Sequence, residues 1–333
     1  MRMPKNGLPA NSGAGSSRTE TAIQPSSSDE KSHFFLGAGQ LGRAVRGRQG
    51  GISWWSGRSG AHTRLNRARN RKGLNVNEIP LTLTLIGGPT VLLEINGMRL
   101  LTDPTFDPPR SYDARDIVLT KQTGPALEAE AIGAVDAVLL SHDQHFDNLD
   151  DAGRAFLPRA RRVLTTVAGA ARLGGQVQGL EPWQGVDLLM ADGLTLRVTA
   201  TPARHGPAGI EPLSGDVIGF VLTIEGGPAL YISGDTVWYH GVAEVARRFD
   251  VKAAILFTGA AQPRGSFHVT MDSNDAIEAA HAFLNATIFA IHNEGWAHLT
   301  ESQEDLAKAF SVVGLGPRLR FLERGVPVSL TVD

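Results

Sequence analysis

Cysteine is absent from all 333 residues. Disulfides and thiolate ligands are therefore excluded, and any metal centre must use His, Asp, Glu, Asn or water. No apolar run reaches the roughly 18 residues that a membrane-spanning helix needs. Glycine-rich loops with Walker or dinucleotide-binding spacing are missing, which removes those modes of phosphate binding. A G-x-S-x-G elbow is missing too, which argues against a serine hydrolase. The remaining composition, 42% hydrophobic and 20% charged, is that of an ordinary globular protein with one large domain or two small ones. A cysteine-free chain suits a reducing compartment, and a cytoplasmic location is expected.

The net charge of −2 hides an asymmetry. Residues 1–75 hold 13 Lys and Arg against 3 Asp and Glu, and residues 76–333 hold 19 against 31. The basic part is rich in Ser and Gly and has little apolar periodicity, so it lacks the buried surface that offsets ordering entropy. A disordered basic tail over residues 1–76, ahead of a folded domain over 77–333, is the expectation. A nucleic-acid-binding arm or an organelle transit peptide are the functional alternatives for that segment. Trp54-Trp55 is the one feature that a mere tail does not require.

From Leu81 the pattern changes. Leu81–Leu85 alternates as a half-buried strand does. Gly87-Gly88-Pro89 makes a turn. Val91–Ile95 and Arg99–Thr102 are joined by Asn96-Gly97, a hairpin signal. Further strands are expected over Ala137–Leu140, Arg162–Thr166, Leu194–Thr199, Val217–Ile224, Ala229–Ile232, Ala253–Phe257, Thr287–Ile291 and Val326–Thr331. Helices fit Leu149–Phe156, Val242–Phe249, Asn274–Leu284 and Ser302–Phe310. Ser273 is the expected cap of the third helix, and Thr300 or Glu301 opens the last. Hairpins followed by alternating strands and helices imply mixed sheets covered by helices.

Metal-competent side chains recur where strands end. Asp103 follows Leu100-Leu101-Thr102. His142 follows Val138-Leu139-Leu140-Ser141. His205, Asp235 and His292 stand just beyond the strands ending near Thr199, Ile232 and Ile291. Loops at the carboxyl ends of strands are where a rigid frame presents functional groups. The densest stretch is His142-Asp143-Gln144-His145-Phe146-Asp147-Asn148-Leu149-Asp150, in which five of nine residues are His or Asp. A polar helix N-terminus capped by Asp147 or Asn148 explains one acid there, but not the two histidines. Neutral imidazoles and carboxylates suit a divalent transition ion.

The series of a strand-terminal Asp, a His-rich loop, a distant His, a Gly-Asp and a final His resembles the metallo-β-lactamase superfamily. The segments Leu101-Thr102-Asp103-Pro104, Ser141-His142-Asp143 and Ser233-Gly234-Asp235-Thr236, with His268 ahead of a helix, resemble its ascorbate-6-phosphate lactonase-like and N-acyl-phosphatidylethanolamine phospholipase D-like subgroup. The resemblance covers nearly all of residues 80–333. It implies an α/β fold, a four-layer αβ/βα sandwich of two mixed sheets flanked by helices. It also implies one or two zinc ions: His142, His145 and His205 at a first site, Asp147 and His292 at a second, and Asp235 bridging. Asp103 would orient the loop histidines.

Two departures stand out. The family loop has one residue between its first two histidines, whereas this loop has Asp143 and Gln144. The last histidine of that loop is Asn148 here, which offers a carbonyl oxygen in place of an imidazole. A second ion would then be held more weakly, or be manganese or iron.

The implied activity is metal-dependent hydrolysis of an ester, lactone, amide or phosphodiester in a small-molecule substrate, by a metal-bound hydroxide. Asp147 would orient the nucleophile and accept its proton, and His268 would donate a proton or bind substrate. Trp238, Tyr239, His240, Trp296 and His298 stand near the strand ends, where plain packing is their default role. Gly206, Gly234 and Gly295 are expected in tight turns. A nuclease or phosphodiesterase acting on nucleic acid is a rival reading that the acidic domain disfavours. A non-catalytic metal- or ligand-binding protein is another, motivated by Asn148 and the longer loop.

Overall fold

The computed structural model describes residues 79–332 apart from Arg115 and Gly226. The basic segment 1–76 and Trp54-Trp55 lie outside the described residues.

The described chain begins with strands β1 (Ile79–Gly87), β2 (Thr90–Ile95) and β3 (Met98–Thr102). A separate two-stranded hairpin follows, β4 (Arg110–Ala114) with β5 (Ile117–Lys121). Then come α1 (Ala129–Ile132), β6 (Ala137–Leu139), α2 (Asp151–Phe156), β7 (Val163–Thr166), α3 (Val167–Leu173) and β8 (Val177–Leu180). The second half runs through β9 (Gly185–Leu189), β10 (Thr195–Pro202), α4 (Glu211–Ser214), β11 (Ile218–Ile224), β12 (Ala229–Ile232) and α5 (His240–Arg248). It closes with β13 (Val251–Phe257), α6 (Ser273–Ala282), β14 (Thr287–Ile291), α7 (Gln303–Val312), β15 (Leu319–Arg320) and β16 (Val328–Val332).

Two seven-stranded mixed sheets result, ordered β16-β1-β2-β3-β6-β7-β8 and β15-β14-β13-β12-β11-β10-β9. Their facing surfaces share one core that includes Leu83, Leu93, Leu139, Phe220, Ile255 and Ile291. The outer face of the second sheet packs on α5, α6 and α7 through Tyr231, Val245, Ala279 and Phe310. The outer face of the first carries α1 and α2 through Val138, Ile132 and Phe156. This is the expected four-layer sandwich. Strands β12 to β14 are buried on nearly every residue. Parallel strands covered on both faces need such continuous apolar runs.

Asn96 and Gly97 both have positive φ, 46° and 80°, as a two-residue turn between right-twisted strands requires. The helix starts differ from the expectation by one to three residues. Asp272, not Ser273, caps α6 by accepting from Asp275 N. Ser302, not Thr300 or Glu301, opens α7 in a capping box with Asp305. Asp150, not Asp147 or Asn148, caps α2. In each case the competent acceptor nearest the first turn wins, since only it reaches the N3 amide. Gly206, Gly234 and Gly295 all have positive φ.

Five strand ends face one edge of the sandwich. β3 and β6 run parallel. β10 and β12 share a direction because each is antiparallel to β11 between them, and β12, β13 and β14 are parallel. The loop after β6 is anchored by Asp150. Its carboxylate accepts from Gly153 N at 2.7 Å, Phe106 N at 2.9 Å and Asp107 N at 2.8 Å, and pairs with Lys121 Nζ at 2.8 Å. Gly153 lies against the Pro104 carbonyl, where a Cβ would overlap it. Backbone cannot yield as a flexible side chain can, so Gly153→Ala should destabilise the fold by about 3 kcal/mol or more. Thermal unfolding would show this as a drop of many degrees. An unchanged midpoint would mean that α2 shifts freely and that the Asp150 anchor is dispensable.

Candidate metal centre

The centre is built from a chain of committed protons. Asp103 Oδ1 accepts from Ser141 N at 2.8 Å and from Ser141 Oγ at 2.7 Å. With its proton committed to Asp103, Ser141 Oγ accepts at 2.9 Å from His142 Nδ1. His142 thereby presents a bare Nε2 to the interior. His205 donates from Nδ1 to the Val269 carbonyl at 2.7 Å, so its Nε2 is bare as well. Both nitrogens point at His145 Nδ1, from 2.9 Å for His142 and 3.1 Å for His205. One Nδ1–H can serve only one of two lone pairs. Asp235 Oδ2 lies 3.5 Å from His205 Nε2 and 4.0 Å from His142 Nε2, and has no hydrogen-bond partner.

These side chains lack a shared electrophile, and a divalent cation fits the gap. Two nitrogens bound tetrahedrally at about 2.0–2.1 Å would stand about 3.3–3.4 Å apart, close to the separations found. A second set adjoins the first. His292 Nε2 is 3.6 Å from Asp147 Oδ2 and 3.6 Å from Asp235 Oδ1, and neither ring nitrogen of His292 has a partner. Asp235 belongs to both sets. Asp103 and His292 hold left-handed backbone at φ 28° and 54°, a cost that clusters where geometry is over-determined by function.

The extra loop residue is absorbed outside the cluster. Asp143 takes Arg172 Nε from α3 at 2.9 Å, and its carbonyl takes Arg154 Nη2 at 3.2 Å. Gln144 rests on Gly215, where a Cβ would overlap its amide. The bulge so formed leaves His142 and His145 in one group. Asn148 does not turn its carbonyl toward the second set. Its Nδ2 donates to Asp235 Oδ1 at 3.3 Å.

His298 has more than the packing role its position suggested. Its Nε2 lies 3.0 Å from Asp147 Oδ2, and its side chain is 8% exposed. It gets there because β5 continues its pairing into the loop after β14, through Gln122 N to Gly295 O and Ala297 N to Thr120 O. No sequence signal linked that loop to a hairpin 175 residues earlier in the numbering, roughly, since long-range pairing leaves no local periodicity. His268 is outside both sets, with Nε2 3.1 Å from Asp275 Oδ2 and Nδ1 3.6 Å from Asp272 Oδ2. Its neighbour Val269 supplies the carbonyl that orients His205. Trp296 packs on Tyr112, Trp238 N bonds to Asp275, Tyr239 carries Arg204 over its ring, and His240 is exposed.

Burial sets the protonation of the cluster. It holds His145 and His205 down to about 4, with neighbouring imidazoles adding to the effect at His145, and it holds His142 well below the usual range. Burial also lifts Asp235 to about 6. Burial pushes Asp147 up as well, but the neighbouring His292 imidazole and the hydrogen bond with His298 more than offset it and leave the carboxyl well below its ordinary value. The unfolded chain therefore binds protons at histidines that the folded chain keeps neutral. Stability of the metal-free protein should fall as pH drops from about 6.5 toward 4. His292, Asp235 and Asp103, all raised, oppose this, so the fall is shallower than the three lowered histidines alone would give. Chemical unfolding of chelator-treated protein at pH 7 and pH 5 checks the sign; equal or greater stability at pH 5 would be the contrary result.

Known proteins share this frame. The family model for the beta-lactamase superfamily domain matches residues 98–293. A Bacillus subtilis protein named UPF0173 protein YddR is 26% identical over 241 residues, which covers 69% of this chain and 92% of that protein. A UPF0173 metal-dependent hydrolase from Herpetosiphon aurantiacus is 28% identical over 225 residues, covering 63% of this chain and 80% of that one. The crystal structure of an isothiocyanate hydrolase from Delia radicum gut bacteria superposes with a TM-score of 0.65 at 24% identity, over 75% of this chain and 99% of that chain. At that identity the likeness speaks for the fold alone. With two mixed sheets, flanking helices and a matching family model over more than half its length, this chain belongs to the beta-lactamase superfamily, as an enzyme among the metal-dependent hydrolases of metallo-β-lactamase fold.

Proposed function

We propose that this chain hydrolyses a small ester, lactone, amide or phosphodiester with one tightly and one loosely held divalent ion, zinc foremost. His142, His145, His205 and Asp235 would hold the first ion; Asp147 and His292, with Asp235 shared, would hold the second. The observation that carries this reading is the meeting of two bare imidazole nitrogens on a third, beside an unpartnered carboxylate oxygen, in a buried cluster. A bound divalent ion supplies Lewis acidity and lowers the pKa of water at the site. The domain that does this is taken as residues 77–333.

The chain's own groups supply the rest. Asp147 lines the pocket beside the centre and is kept ionised by His292 and His298, so it can orient an attacking water and take its proton. Asp103 and Ser141 fix the ring of His142. Apolar walls from Leu119, Ile210 and Val269 limit water around the reacting atoms. His268, engaged by two carboxylates, is assigned to holding the Val269 loop rather than to proton transfer. Among the described residues no helix is long and apolar enough to cross a membrane.

Metal analysis of the purified full-length chain tests the assignment. One ion should survive dialysis, and a second should appear only with added metal. His145→Ala or His205→Ala should remove most of the first. Asn148→His, which replaces an amide with an imidazole, should tighten the second by about tenfold or more in a calorimetric titration. Two equally tight ions in the parent would refute the asymmetry, and full metal retention in both alanine variants would refute the ligand set.

A further inference from the structure

Beside the candidate centre the pocket wall is almost wholly apolar, formed by Ile117, Leu119, Ile210, Pro263 and Val269. Arg264 is the cation in that lining, on the same wall as His145, Asp147, His205 and His298. Among the described residues its one ion pair is to Asp116 in the β4–β5 turn, at 3.8 Å. Asp116 is 81% exposed whereas the Arg264 side chain is 22% exposed. The pair is thus lopsided: an exposed carboxylate at that distance contributes about 1 kcal/mol at most, yet the guanidinium has given up most of its water. Asp147, the carboxylate in the same lining, faces His292 and His298 instead. A largely buried guanidinium against apolar walls, with donors that no close acceptor claims among the described residues, fits a ligand oxyanion in fork geometry better than it fits a packing role.

We infer that Arg264 binds an anionic group, a carboxylate or phosphate, carried by the substrate a few bonds from the scissile centre, and selects such substrates over neutral ones of the same shape. The inference rests on the hydrolase reading above. On binding, the substrate anion displaces Asp116, which rehydrates at little cost because it already faces solvent. The apolar wall takes the carbon skeleton between the anion and the reacting group. The substrate class is then an amphiphilic small acid derivative, not a neutral ester and not a polyanion, since a single guanidinium serves one anionic group.

Zinc-loaded full-length protein would be tested with mono(4-nitrophenyl) glutarate and 4-nitrophenyl butyrate, esters alike in reach but differing in one carboxylate. The parent should prefer the glutarate by at least tenfold in kcat/KM, with the difference mainly in KM. Arg264→Ala should bring the ratio near one, and Arg264→Lys, which keeps charge but loses the fork, should retain part of it. Unchanged zinc content in both variants guards against a folding defect. Calorimetric titration with glutarate and with n-butyl phosphate gives a readout independent of turnover and separates carboxylate from phosphate recognition. Arg264→Ala should weaken at least one of the two by tenfold. A preference that survives Arg264→Ala, or titrations that the substitution leaves unaltered, would overturn the inference. Failure of the parent to cleave either ester would count against the hydrolase reading, while the titrations still decide the role of Arg264.

Discussion

The constraint on which this structure depends is that buried polar atoms must find partners, and at one edge of the sandwich several do not find them within the protein. Asp235 and His292 are at most 1% exposed, and Asp235 Oδ2 and both ring nitrogens of His292 have no hydrogen-bond partner. Leaving such groups unpaired costs on the order of 1–3 kcal/mol each. The surrounding architecture holds them there nonetheless. Asp103 and Ser141 lock one ring, the Val269 carbonyl locks another, and Asp150 with Lys121 pins the loop that carries three candidate ligands. A fold that spends this much order on an unsatisfied cluster is organised for what completes it.

Most of the frame was legible because its strands are long and apolar. Every strand expected from alternation or an apolar run is present, and the candidate ligands follow the strand ends at which the sequence set them. The hairpin β4–β5 was not legible. Its residues alternate between exposed and buried only weakly, and it pairs with nothing in either large sheet. Yet this hairpin supplies Ile117 and Leu119 to the pocket, pairs Asp116 with Arg264, and positions His298 through its link to Gly295 and Ala297. Helices α1, α3 and α4 were missed because each spans seven residues or fewer, too short for a 3.6-residue period to repeat; the equally short α2 was legible because Leu149 ahead of it extends the apolar spacing through Ala152 to Phe156. Local pattern reports what a segment buries; it does not report which distant loop a segment is tied to.

The departures at the His-rich loop form one consistent change. An imidazole at position 148 would be a direct ligand; Asn148 instead donates to Asp235, the carboxylate shared by both donor sets. Asp147 likewise has an outside donor in His298. Each hydrogen bond draws charge from a carboxylate oxygen and fixes its direction. Both acids of the second set are thus oriented but weakened as ligands, while His142 and His205 of the first set are held with their Nε2 lone pairs facing inward. The asymmetry between the two sets arises from where protons are placed as much as from which ligand is missing. On the proposed reading, Asp147, held ionised by its neighbours, is suited to orienting an attacking water, while the imidazoles of the first set would hold the ion that lowers the pKa of that water.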